Sequence, residues 1–185
     1  MIENFLGDAT QRMAKSVEAT HDHFNSVRTG RASAALLDRI QIDYYGTLTP
    51  LKNLATISAP EPRMLTIQPF DPSATKQIEK AVLESDLGLT PSSDGKLVRL
   101  PIPQLTEERR KELVKLVRQM SEEGRVAVRN VRRDAIKHLE ELVKNGDVGD
   151  DDERAAEARV QKLTDEHVGK IDDLLKRKEA EIMEI

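Results

Sequence analysis

All eight prolines of this 185-residue chain (Pro50, Pro60, Pro62, Pro69, Pro72, Pro91, Pro101 and Pro103) fall between positions 50 and 103. Proline locks φ, lacks an amide hydrogen and clashes with the preceding turn, so it ends or kinks a helix that it enters. The flanks are therefore free to form long helices and the middle is not. The chain reads as a helical module with a differently built module inserted into it.

The flanks carry the matching periodicity. Ile2, Leu6, Ala9, Met13, Val17, Thr20, Phe24 and Val27 recur at steps of three and four, the seam of an amphipathic helix, with Gly30 as its expected stop. Thr106 followed by Glu107 and Glu108 is an N-cap signal, and no proline interrupts the pattern from there to Asn145-Gly146. At 1.5 Å per residue that helix is about 60 Å long. After the turn at Gly146-Asp147-Val148-Gly149, the acids 150–153 open a third helix with the seam Ala156, Val160, Leu163, Ile171, Leu174 and Ile182.

Between the flanks the period shortens. Ile40 and Ile42 alternate with Gln41 and Asp43, and Leu65 and Ile67 with Thr66 and Gln68, while Leu97, Val98 and Leu100 form a third apolar stretch. These are strand signals. Asp71-Pro72 caps an expected helix near residues 72–86, Gly88 supplies its stop, and Ser92–Gly95 reads as a turn. The fold class is α+β: an antiparallel three-helix bundle from residues 1–30 and 105–185, with a small, mostly β, α/β domain from residues 31–104 inserted after the first helix. Its two adjacent crossings, at Gly30-Arg31 and Gln104-Leu105, are the expected hinge.

Composition narrows the function. There is no cysteine, hence no disulfide framework, thiolate metal site or cysteine nucleophile. No signal peptide or apolar run long enough to span a membrane is visible, so the cytosol is expected. No phosphate-loop or Gly-x-Gly-x-x-Gly pattern occurs, His21 and His23 do not share a helix face, and His138 and His167 lie at apolar edges as packing residues. The acids 150–153 lack calcium-loop spacing and read as helix capping. Neither catalysis nor a metal or cofactor site is expected.

The charge is polarised instead. Lys and Arg number 29 against 33 Asp and Glu, yet residues 106–146 hold 11 basic against 8 acidic, and residues 147–185 hold 7 against 13. On a helical wheel Leu113, Leu116, Val117, Met120, Ala127, Val128, Val131, Ala135, Leu139 and Leu142 share one arc. Lys111, Lys115, Arg118, Arg125, Arg129, Arg132 and Arg133 share nearly the opposite one, with Glu122 the only acid among them. Like charges at helical spacing are mutually unfavourable, and arginine's planar fork matches phosphate oxygens, so the stripe suits a nucleic-acid backbone. With only five aromatics (Phe5, Phe24, Tyr44, Tyr45, Phe70), docking on a folded, double-helical RNA or DNA backbone fits better than base stacking. Two readings stay open: a polyanion site, and a helical scaffold for protein partners whose arginines are merely solvated.

Several segments carry a resemblance. Val27-Arg28-Thr29-Gly30-Arg31-Ala32-Ser33, Tyr44-Tyr45-Gly46, Ser85-Asp86-Leu87-Gly88-Leu89 with Pro91, Leu105-Thr106-Glu107-Glu108-Arg109-Arg110-Lys111 and the run from Val126 to Ala135 match, in order, the bacterial ribosome recycling factors, which the chain resembles end to end. The resemblance implies a near L-shaped monomer of bundle and α/β domain. It implies binding to the ribosome after peptide release through large-subunit ribosomal RNA, and subunit splitting together with elongation factor G and its GTP hydrolysis. It places RNA contacts at Arg132, with Arg129, Arg133, Arg28 and Arg31 as helpers. The wheel independently selects Arg125, Arg129, Arg132 and Arg133.

Overall fold

A computed structural model describes residues 1–184. The chain divides into two compact units, one made of Met1–Thr29 with Thr106–Ile185, the other of Gly30–Leu105.

The first unit consists of α1 (Ile2–Ser26), α3 (Glu107–Lys144) and α4 (Asp150–Met183). The Thr106 hydroxyl accepts from the Arg109 amide at 3.1 Å, starting α3 as its sequence predicts. At the other end Gly146 turns to φ 81°, its amide donates to Val143 O and the Asp147 amide to Leu142 O, a Schellman stop. Val148 then tucks against Leu139 and Ala156. Pairs Arg12–Asp134 (2.8 Å) and Arg118–Glu179 (2.6 Å) run α3 antiparallel to α1 and to α4, and Glu3–Arg159 (2.6 Å) sets α1 parallel to α4. The core gathers Leu6, Ala9, Met13, Val128, Val131, Ala135, Val160 and Ile171.

Three expectations need correction here. Helix α1 stops at Ser26, because Val27 turns extended to bury its own side chain; Gly30, at φ 75°, lies beyond the end. Leu116, placed on the core arc, is 40% exposed. The buried seam of α3 is narrower than that arc, running Leu113, Val117, Ser121, Gly124, Val128, Val131, Ala135 and Leu139, and Leu116 falls on its border. Ser121 and Gly124 complete the seam although neither is hydrophobic enough to stand out in a wheel.

Gly124 is there for closeness. A Cβ at this position would collide with the Thr20 hydroxyl of α1 and lie 3.2 Å from Ile171 Cδ1 of α4. Gly→Ala in a helix ordinarily gains about 1 kcal/mol. Overpacking costs about 1–3 kcal/mol, so Gly124→Ala is expected to be a net loss, read as a lower denaturation midpoint. Adding Thr20→Ala should recover part of it; a stabilised single variant would show that the helices have room to separate.

In the second unit β1 (Gln41–Tyr44) and β2 (Thr47–Pro50) form an antiparallel hairpin. Strands β3 (Ala55–Glu61), β4 (Met64–Pro69), β5 (Ser92–Ser93) and β6 (Val98–Pro101) form an antiparallel sheet in the order β3-β4-β6-β5. Alternation delivers Leu65 and Ile67 of β4 and Val98 and Leu100 of β6 to a core shared with Ile42, Leu51 and with Ile78 and Val82 of α2 (Thr75–Glu84). The expected helix near 72–86 is thus shorter: Pro72–Ala74 is a single 3₁₀ turn, with Asp71 accepting from the Ser73 amide at 3.0 Å, and Ser85, already extended, ends α2 before Gly88. Ser92 and Ser93, read as turn residues, pair with Arg99 and Val98; only the following residues turn, around the Asp94 carboxylate. Strand β3 holds Pro60 because it lies at the sheet edge, where a missing amide costs no ladder bond.

Candidate nucleic-acid interface

Helix α3 does present its basic residues together, but its neighbour α4 answers several of them. Arg118 donates to Glu179 at 2.6 Å, and that bond holds its guanidinium pKa above the usual value. Arg125 meets Asp172 at 2.7 Å and Glu122 at 3.0 Å, with only 19% of its side chain exposed. Burial works against its charge, and the hydrogen bonds to the two carboxylates outweigh that, so its pKa is raised. Arg125 is thus a clasp between α3 and α4. Arg129 shares Glu122 at 3.3 Å, and Lys111 reaches Glu107 at 3.1 Å.

Two positions differ. Among the described residues Arg132 reaches only a neutral group, the Gln161 amide oxygen at 3.3 Å, while Gln161 itself donates to Asp165. Arg133 is exposed and forms no hydrogen bond or ion pair among the described residues. Arg129, Arg132 and Arg133 lie within about one helical turn, so an uncompensated guanidinium pair with a weakly engaged third is available on one side of α3.

Arg28 is exposed just past α1. It is not part of that group: the adjacent Thr29 hydroxyl donates to Glu181, two residues beyond the Glu179 that pairs with Arg118. Arg118 and Arg132 are about 20 Å apart along α3 at 1.5 Å per residue. Arg31 is exposed and belongs to the second unit. Of the expected hinge residues, Gly30 takes φ 75° and packs so close to Leu105 that a Cβ would lie 3.0 Å from its Cγ, setting the two ends of the Gly30–Leu105 unit side by side. Gln104 accepts from the Arg63 guanidinium within the same unit.

The histidines hold no site geometry. His138 stacks on Phe5, His167 is buried with Nδ1 2.6 Å from Leu163 O, and no cluster of three or more His, Asp or Glu suited to a metal occurs among the described residues. No helix described is long and apolar enough to cross a membrane.

Two compact units and a guanidinium ridge on the long central helix of the first make this a two-module protein with a polyanion-compatible face. The sequence profile of the ribosome recycling factor family matches residues 20–183. The chain is 57% identical over 180 residues to the ribosome-recycling factor of Rubrobacter xylanophilus, covering 97% of each, and 53% identical over 185 residues to that of Geobacillus kaustophilus, covering 100% of each. A solution structure of the ribosome recycling factor superposes with TM-score 0.73 at 43% identity, covering 100% of this chain and 98% of the other. A second, from models of the Thermus thermophilus ribosome recycling factor and the E. coli elongation factor G bound to the E. coli post-termination complex, gives 0.63 at 46% identity, covering 99% of both. The chain belongs to the ribosome recycling factor family.

Proposed function

We propose that this protein recycles ribosomes in the cytoplasm after termination, binding the large-subunit RNA through α3 and splitting the subunits together with elongation factor G and GTP. The observation that carries the RNA contact is the pair Arg132 and Arg133, without a carboxylate partner among the described residues, while Arg118 and Arg125 nearer the start of α3 are paired with acids. Arg129 assists, and Arg28 and Arg31 supply separate contacts nearer the chain crossings. The protein acts mechanically: it has no nucleotide-binding motif, so the free energy for splitting comes from the partner's GTP. The bundle anchors, and the Gly30–Leu105 unit, pivoting at Gly30-Arg31 and Gln104-Leu105, transmits the push. A splitting assay with and without elongation factor G and GTP tests the reading; subunits that stay joined with all components present would overturn it.

The RNA contact has its own test. Arg132→Ala removes a half-exposed side chain whose one hydrogen bond among the described residues is to a neutral amide, so folding should change by no more than about 0.5 kcal/mol. Ribosome affinity in pelleting assays should fall and its salt slope flatten by about one. Parental affinity and slope would remove Arg132 from the interface. Arg125→Ala should do the reverse, lowering stability by opening the Asp172 clasp.

A further inference from the structure

The one acid inside the basic stripe of α3 holds two of its arginines at once. One oxygen of the Glu122 carboxylate accepts from Arg125 Nη1 at 3.0 Å, and the other accepts from Arg129 Nη1 at 3.3 Å. The two bonds are not equivalent. Arg125 has a second carboxylate, Asp172 of α4, which takes its Nε at 2.8 Å and its Nη2 at 2.7 Å, whereas Arg129 has Glu122 alone among the described residues. Glu122 is an extra for the α3–α4 clasp and the whole of the compensation at Arg129.

That second bond takes a long reach. Positions 122 and 129 share a face of the helix but are about 10 Å apart along its axis, two turns where paired neighbours are ordinarily one turn apart. Two long side chains must extend toward each other to meet. The entropy lost in ordering them offsets most of the attraction, and both ends stay open to water, with 56% of the Glu122 side chain and 40% of the Arg129 side chain exposed. Such a pair is weak enough to be exchanged, and a phosphate offers Arg129 a partner that fits its fork.

The acid also acts on whatever docks beside it. Arg132 lies one turn beyond Arg129 and Arg133 follows it, so a backbone held by those two brings negative charge up to Arg129 and to the carboxylate behind it. Repulsion between carboxylate and phosphate must be overcome before Arg129 joins, and Glu122 takes up a cation from solution when it lets the arginine go. An acid here lowers affinity. Packing does not require it, because Asp172 already closes α3 on α4.

We propose that Glu122 is a release residue: its carboxylate holds Arg129 back from the RNA backbone and reclaims it as the protein leaves, keeping binding reversible from one round to the next. The assignment rests on the RNA contact proposed above. Glu122→Gln keeps the shape and removes the charge. In the full chain it is expected to tighten ribosome pelleting about 3- to 10-fold and to slow dissociation, in a chase with excess unlabelled protein, by a similar factor. The salt slope should steepen by about one, the opposite of Arg132→Ala, as Arg129 joins with no cation taken up in exchange. Arg129→Gln with Glu122 in place should weaken binding less than about twofold, and combined with Glu122→Gln it should erase the gain. The melting temperature of Glu122→Gln should stay near the parent's; if that variant is unstable, Arg129→Gln carries the test alone. Unchanged or weaker binding by a folded Glu122→Gln would overturn the assignment. So would a gain that survives Arg129→Gln, which makes Glu122 a general repulsive charge, or a loss from Arg129→Gln alone as large as that from Arg132→Ala. A parent chain whose ribosome binding is insensitive to salt would instead bring down the RNA contact itself.

Discussion

Val131→Asp is expected to abolish the cooperative unfolding transition of the helical unit. Val131 is 6% exposed in the cluster with Leu6, Ala9, Met13, Val160 and Ile171, where α1, α3 and α4 meet. A carboxylate there has no basic partner among those residues, and burying it unpaired costs several kcal/mol. A domain has about 5–15 kcal/mol in total, so the loss takes most of it. Leu116→Asp is the control. That residue also sits on the apolar side of a simple wheel, yet it is 40% exposed and an aspartate there reaches water, so the expected change is within about 1 kcal/mol. Far-ultraviolet circular dichroism against denaturant separates the two. Equal behaviour of the two variants, in either direction, would mean that the narrow seam through Gly124 is not the true core face.

The contrast between those two residues shows where the sequence was readable. Long helices flanking a proline-rich insert follow from rules that act locally: prolines exclude helix, Thr106 caps α3, and Gly146 ends it. The seam's width and the fate of its charges depend on other helices, and no local rule carries that. Gly124 looks like a weak point in a helix until Thr20 and Ile171 close over it. The short strands were harder still. No strand signal marked 47–50 or 55–61, and Pro50 and Pro60 are tolerated there because these are a hairpin strand and a sheet edge, positions fixed by topology.

The candidate interface was legible in type and blurred in detail for the same reason. A single-helix wheel counted Glu122 as the only acid in the stripe, although the acid-rich segment after residue 146 becomes the adjacent helix. Glu179 and Asp172 then neutralise Arg118 and Arg125, seven residues apart on α3, as each comes level with an acid of α4. At the next level position α4 carries Asp165, but that carboxylate accepts from the Gln161 amide, whose oxygen in turn accepts from Arg132. The arginine best placed to seek an outside phosphate is thus marked by the amide that stands between it and Asp165, a detail that only the packed helices reveal.

Replacing residues 31–104 with a short Gly/Ser linker is expected to leave a folded bundle that binds ribosomes and does not split them. Each unit buries a core of its own, with Leu65, Ile67, Ile78 and Val98 central to one and Met13, Val128, Val160 and Ile171 to the other, so removing the insert opens no cavity in the bundle core. Gly30 and Leu105 touch, so the two ends left behind are close, and the loop-closure cost of joining them is small because it grows only with the logarithm of length. Arg129, Arg132 and Arg133 all remain. The shortened chain should therefore pellet with ribosomes at an affinity within about tenfold of the parent, compete with it, and inhibit splitting rather than support it, since affinity set by phosphate contacts survives loss of a charge-neutral insert. Binding and splitting must be measured on one preparation whose circular dichroism shows an intact bundle. Splitting at the parental rate would make the inserted unit dispensable and end the lever mechanism. A well-folded bundle that no longer binds would move the main ribosome contacts into the Gly30–Leu105 unit, and the uncompensated arginines of α3 would then have to be read as an ordinary solvated face.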